Sequence, residues 1–215
     1  MTLKLNGSSS GYTAIDAPAA AGSNTLVLPT NNGSANQILQ TDGNGNLSWV
    51  DKPSSGLTMA ETWSLENANM DHSGADDVTA NWGKQNSHTS LIGNIGSSMT
   101  ESSGIFTFPS TGYYLCILDF SGKCTSSSNS EYNGARQWVS SDSGSNWTKL
   151  ASDYTNGPNN QNHFSVHSTI LVDVTNASTF RWKCDVESHQ NTTWFGTSNG
   201  TNKASGVTFI KIGDT

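Results

Sequence analysis

Apolar and polar side chains alternate with a period of two over most of the second half of the chain. Tyr114, Cys116, Leu118 and Phe120 share one face of a stretch whose other face carries Tyr113, Leu115, Ile117 and Asp119. Phe164, Val166, Ser168, Ile170, Val172 and Val174 alternate with Ser165, His167, Thr169, Leu171 and Asp173. Phe180, Trp182, Cys184 and Val186 alternate with Arg181, Lys183, Asp185 and Glu187. This period predicts half-buried antiparallel strands. A last strand is predicted at Val207–Ile212. No segment keeps helical spacing beyond about two turns. Asn6, Asn32, Asn44, Asn133, Asn156 and Asn199 are each followed by Gly, a strong signal for tight turns. Many short strands with such turns predict an all-β antiparallel sandwich or jelly roll.

The first fifty residues follow a different pattern. Their large apolar side chains come in small groups: Leu3 and Leu5; Tyr12 and Ile15; Leu26, Val27 and Leu28; Ile38 and Leu39; Leu47, Trp49 and Val50. Each group suits one short strand. Ordering a residue costs roughly 1–2 kcal/mol of backbone entropy, which so few side chains cannot offset within one chain. The groups are nevertheless regularly spaced, unlike a flexible linker. Several copies sharing one core resolve the conflict, so residues 1–50 are expected to form an intertwined stem. Asp51-Lys-Pro-Ser-Ser-Gly56 has turn-and-linker composition. The predicted division is therefore a stem over 1–50, a linker over 51–56 and a head over 57–215.

Composition narrows the function classes. Charged residues make up 13% of the chain, against a usual ~25%. Lys and Arg number 10 against 17 Asp and Glu, for a net charge of -7. That balance argues against nucleic-acid partners, whose phosphates demand a basic surface. No apolar run approaches the ~20 residues of a membrane span. No apolar run follows Met1-Thr-Leu-Lys4, so no leader is read there and synthesis in a cytoplasm is expected. Cys116, Cys124 and Cys184 show neither CxxC nor zinc spacing. Buried free thiols are the expected state, and a Cys116–Cys184 bridge stays open if their strands lie opposite each other.

The run Phe106-Thr-Phe108-Pro109-Ser-Thr-Gly112-Tyr113-Tyr114 resembles the central signature of the C1q/TNF-like jelly roll. The resemblance covers roughly Leu57 to Asp214 and implies a tight trimer of jelly rolls. The N-terminal stretch resembles a module of bacteriophage fibre proteins, particularly those of marine phages. It is carried by Leu5-Asn-Gly7, Gly11-Tyr-Thr-Ala-Ile-Asp-Ala-Pro18, Ala21-Gly-Ser-Asn-Thr-Leu-Val-Leu-Pro29 and Gln37-Ile-Leu-Gln-Thr-Asp-Gly-Asn-Gly-Asn-Leu-Ser-Trp49. This second resemblance implies an intertwined trimeric β stem, with Leu3, Leu5, Tyr12, Ile15, Leu26, Leu28, Leu39 and Trp49 as candidate stem or particle-attachment residues.

Candidate chemistry is sparse. Ser140-Ser-Asp142-Ser-Gly144-Ser-Asn-Trp147 fits the Asp-box pattern of sialidase propellers. One box and two arginines, Arg136 and Arg181, do not make a sialidase, which uses several blades and three arginines; a structural hairpin is expected. Asp71, Asp76 and Asp77 gather carboxylates near His72 without the EF-hand spacing, so a solvated loop is expected there. His163 and His167 lie on a predicted strand, about 13 Å apart and too distant to share a metal ion. No catalytic, cofactor-binding or metal-binding residue is assigned. Tyr154 and Trp194, aromatic and set in turn-rich context, are the candidates for stacking on sugar rings.

These observations and resemblances predict a non-enzymatic homotrimeric bacteriophage virion protein. It would be assembled in the host cytoplasm and exposed on the particle as a tail fibre, spike or capsid fibre. Its partners would be other virion proteins and a host-surface glycan, bound multivalently. The alternative is a decoration protein that only stabilises the particle; a polysaccharide-degrading enzyme is a further alternative.

Overall fold

The structure is a computed structural model that describes residues 2–52, 56–66, 70–84, 93–125, 130–157, 163–194, 196 and 204–215. It divides the chain into two compact units, Met1–Ser55 and Gly56–Thr215. The described regular elements are β-strands in both units.

The larger unit contains β5 (Met59–Leu65), β6 (Met70–Asp77), β7 (Trp82–Lys84), β8 (Ile95–Gly96), β9 (Thr100–Ser102), β10 (Ile105–Thr107), β11 (Gly112–Cys124), β12 (Ser130–Ser140), β13 (Thr148–Gly157), β14 (His163–Val174), β15 (Arg181–Trp194) and β16 (Gly206–Gly213). Two antiparallel layers result. One runs β14-β11-β16-β5, with β7 and β8 continuing beyond β5. The other runs β13-β12-β15, and β6 and β10 share the far edge of β15. The layers touch where Gly122–Cys124 pair with Thr192–Trp194. The pairing of the last strand with the first of its layer and with a central strand makes this an all-β jelly-roll sandwich.

Alternation is what fills the core. The inward faces contribute Tyr114, Cys116, Leu118 and Phe120 from β11, and Val166, Ile170, Val172 and Val174 from β14. Trp182, Cys184 and Val186 come from β15, and Val207 and Phe209 from β16. Phe106 stands at the centre, edge-on to Trp63, Trp82 and Trp182 with centroids 5.2–5.3 Å away. These are favoured aromatic geometries that add to area burial. Gln137 ties the layers together through a buried polar link. Its amide donates to the Ser168 carbonyl and hydroxyl on β14, while its carbonyl accepts from Trp182 Nε1 at 3.0 Å.

The Phe-Pro-Gly-Tyr run forms the entry to β11. Tyr114, fully buried, donates its hydroxyl to the Ser110 carbonyl at 3.0 Å and anchors the turn that precedes it. Gly112 has φ 139°, and a Cβ there would meet the Gly213 carbonyl oxygen at 2.5 Å. The position thus needs glycine for both conformation and space.

The smaller unit consists of two hairpins. β1 (Leu3–Asn6) pairs with β2 (Tyr12–Ile15), and β3 (Gln37–Thr41) pairs with β4 (Leu47–Asp51). Leu26, Val27 and Leu28 do not form the strand expected of them. Only Val27 makes a bridge, to Asn46, and Pro29 supplies no N–H to extend a ladder. Trp49 is half-buried in the second hairpin. Its indole N–H donates to the Asn31 carbonyl at 2.9 Å, and its ring covers Gly33, where a Cβ would lie 2.8 Å from ring atoms.

Candidate functional site

Three surface features stand out, and all three present apolar atoms to solvent. The first is the smaller unit itself. Leu3, Leu5, Tyr12, Ile15, Leu26 and Leu28 are 59–71% exposed, and Ile38 and Leu39 are each 43% exposed. Two hairpins with most of their large apolar side chains in water bury little of the area that would stabilise them. A cleft of about 650 Å³, lined by Leu28, Pro29, Gly33, Leu47 and Trp49, indents this unit.

The second feature is the outward face of the β14-β11-β16-β5 layer. Register puts Leu171, Leu115, Ile210 and Ala60 in one row across four strands. Leu171 is 57% exposed, while Leu115, Ile210 and Ala60 are half-buried. The next row is Thr169, Ile117, Thr208 and Thr62, in which the Thr62 and Thr208 hydroxyls are 3.0 Å apart. Tyr113 and Ile212 extend the exposed apolar surface along the same strands.

The third feature lies on the outward face of the other layer. Tyr154 on β13, Gly134 on β12 and Glu187 on β15 are cross-strand neighbours in register. The Tyr154 ring lies down across Gly134: a Cβ added there would meet ring carbons at 2.3 and 2.4 Å. The phenol thereby reaches the third strand and donates to Glu187 Oε2 at 2.7 Å. Arg136 donates to the same oxygen at 2.6 Å and grips Asp185 with its Nε and Nη2 at 2.8 and 2.7 Å. Burial, followed by the bond to Glu187, raises the Tyr154 pKa, so the phenol stays protonated and donating at neutral pH. Tyr132 stands edge-on to Tyr154, with centroids 6.0 Å apart, and His189 flanks Tyr132 at 5.6 Å. Tyr132, Tyr154 and Glu187 line a concavity of about 320 Å³.

Of the two aromatics singled out in the sequence, Tyr154 therefore sits at a surface concavity and Trp194 does not. Trp194 is fully buried, edge-on to Phe120 and Phe164, with its indole N–H donated to the Ser188 hydroxyl at 3.2 Å. Its position corrects the expectation of a sugar-stacking side chain: no ring can reach it. The reason is parity, because Trp194 shares the inward side of one strand with Trp182, Cys184, Val186, Ser188 and Thr192, a series that only half-buried Gln190 interrupts. Tyr132, Gly134 and Glu187 escaped sequence reading. Asn133-Gly134 was expected to turn the chain, yet it lies within β12, where the glycine admits the ring of Tyr154.

The remaining candidates resolve into structural roles or scatter. In the Asp-box hairpin, the Ser140 hydroxyl donates to Asp142 Oδ1, and the Asn146 backbone N–H and side-chain amide donate to the two Asp142 oxygens at 2.9 and 2.6 Å. These bonds, led by that from Ser140, lower the Asp142 pKa to about 2. Asp42 and Asn46 repeat the arrangement between β3 and β4, so one turn chemistry closes hairpins in both units. The loop expected at Asp71–Asp77 is instead strand β6, paired with β15, and along it the carboxylates diverge: Asp71 accepts from the Thr193 hydroxyl, while Asp77 pairs with Lys183 at 2.6 Å. The side chain of His72 lies outside the described features. His167 pairs across strands with Asp119. Cys116, Cys124 and Cys184 are free and buried, and burial raises the thiol pKa of Cys116 and Cys184. The 116–184 bridge left open by the sequence is not formed.

No protein-family model matches the chain, nor does any curated protein sequence. Its fold is nevertheless shared with solved structures. Murine APRIL at pH 5.0 aligns with a TM-score of 0.50 and 10% identity, covering 72% of this chain and 99% of that one. Eiger TNF from S. frugiperda aligns with a TM-score of 0.51 and 12% identity, covering 74% of this chain and 96% of that one. The larger unit thus shares the TNF-like jelly-roll fold, in agreement with the resemblance carried by Phe106–Tyr114.

Proposed function

We propose that this chain is a non-enzymatic, homotrimeric structural protein of a bacteriophage virion, with a stem over its first fifty residues and a jelly-roll head that binds host-surface glycan. The observation that carries the proposal is the exposure of Leu3, Leu5, Tyr12, Ile15, Leu26 and Leu28 in a unit with so little core of its own. Such side chains need neighbours, and three copies winding together provide them. The Leu171-Leu115-Ile210-Ala60 row offers the jelly-roll units an apolar contact of their own. The virion assignment rests on the fibre-module resemblance, and the trimer on that and the C1q/TNF-like one. Host binding then gains from avidity, since three weak sites meet a repeated surface polymer together.

Size-exclusion chromatography with light scattering on the intact chain should report three times the 22.8 kDa of one chain. A monomer at micromolar concentration overturns the proposal. Labelled intact protein should also sediment with cells from a panel of marine bacteria; failure with all of them removes the host-binding part.

A further inference from the structure

We infer that the concavity formed by Tyr132, Tyr154 and Glu187 is a saccharide subsite that takes an uncharged pyranose ring, one per protomer. The inference deepens the proposed glycan-binding role and rests on it.

The first argument is preorganisation. Tyr154 has one ring face against Gly134 and its hydroxyl fixed to Glu187, so the ring is already positioned when a ligand arrives. Glu187 is in turn held by Arg136, which Asp185 grips from the other side. A side chain locked in this way loses little entropy on binding. Anchoring a large, 43% exposed aromatic across a third strand leaves its outer face for something else to cover.

The second argument is shape and chemistry. Tyr132 stands at 85° to Tyr154, making a right-angled corner of two aromatic surfaces. A pyranose presents apolar C–H groups on one face and hydroxyls around its rim. The corner meets the first with ring carbons. The rim meets Glu187, whose Oε2 takes both the phenol and Arg136, leaving Oε1 without a hydrogen bond among the described residues. A carboxylate oxygen accepts from sugar hydroxyls.

The third argument is charge. One guanidinium, Arg136, faces two carboxylates, Asp185 and Glu187, and the chain as a whole carries -7. A uronic, sialic or sulfated sugar would meet repulsion here, with its natural counterion already engaged. The corner is therefore suited to neutral hexoses and their N-acetyl or deoxy forms.

Saturation-transfer NMR on the intact protein tests this with the methyl glycosides of glucose, galactose, mannose, rhamnose, N-acetylglucosamine and glucuronic acid. At least one neutral glycoside should bind, with transfer concentrated on the protons of one ring face, and the glucuronide should bind more weakly than the glucoside. Tyr132→Ala and Tyr154→Ala should weaken binding about tenfold or more while the oligomeric mass is unchanged. Gly134→Ala, which drives Tyr154 off its seat, should do the same with both tyrosines present. The wild-type epitope map stands even where a variant misfolds. Absence of binding by every neutral glycoside, equal binding of the glucuronide, or unchanged binding by folded Tyr132→Ala overturns the inference. If the variants still sediment with bacteria that wild type binds, the corner is wrong and the host-binding reading stands. If wild type sediments with none, that reading falls independently.

Discussion

At the scale of single residues, the informative side chains are those whose neighbours fix their chemistry. Asp142 is the clearest. Its hydrogen bonds from Ser140 and Asn146 hold the carboxyl well below the usual carboxylate range, at about 2. The folded value is depressed, so the contribution is fully present above the unfolded value near ~4 and is lost as pH falls toward about 2. The melting temperature of wild type should therefore exceed that of Asp142→Asn by a constant margin from neutral pH down to about 4, and the margin should narrow below that. A margin that persists unchanged to pH 2 contradicts the assignment. Sequence showed Asp142 directly, since its partners lie within four positions. Glu187 was opaque for the opposite reason: the residues that make it notable, Arg136 and Tyr154, are more than thirty positions away.

At the scale of elements, alternation determines nearly everything. It put Tyr114, Cys116, Leu118 and Phe120 inside, as the structure does. Along β15 the inward parity of Trp182, Cys184, Val186 and Ser188 lapses at half-buried Gln190 and resumes at Thr192 and Trp194, so the turn-rich local composition around Trp194 does not bring it to the surface. Asn133-Gly134 carries the complementary lesson. A glycine within a strand signals close approach of a neighbour as much as a turn, and only the register of β12 against β13 identifies that neighbour as Tyr154. Phe106 tests the packing of these elements. It is fully buried on a three-residue strand and touches aromatic rings from β5, β7, β15 and β16. Phe106→Ala should lower stability by about 3–5 kcal/mol, read from urea unfolding of the intact protein. A loss under about 1 kcal/mol would mean that these elements do not close on that ring.

At the scale of the whole molecule, the governing fact is the mismatch between apolar surface and buried volume. The larger unit has an aromatic core sufficient for a domain, while the first fifty residues expose most of the large apolar side chains they possess. The Leu171-Leu115-Ile210-Ala60 row gives this a local handle. Leu171→Asp introduces a charge at its 57% exposed end, where a monomeric head would tolerate it. In a trimer closed on that row, the charge is forced into an apolar contact. The variant should keep its far-ultraviolet circular dichroism and shift its light-scattering mass toward monomer. A variant that remains fully assembled places the contact elsewhere.

By itself the sequence determined the class of fold, the turn between Phe108 and Gly112 and the sparse apolar content of the N-terminal stretch. Each of these follows from composition or from residues close together along the chain, which is the range over which periodicity and turn chemistry act. Tertiary structure decided what depends on pairing between distant strands. It buried Trp194, turned Asn133-Gly134 from a bend into a seat, and joined Tyr132, Tyr154 and Glu187 at one corner. Strand register is a long-range property, so a surface assembled across β13, β12 and β15 has no signature in any one of them.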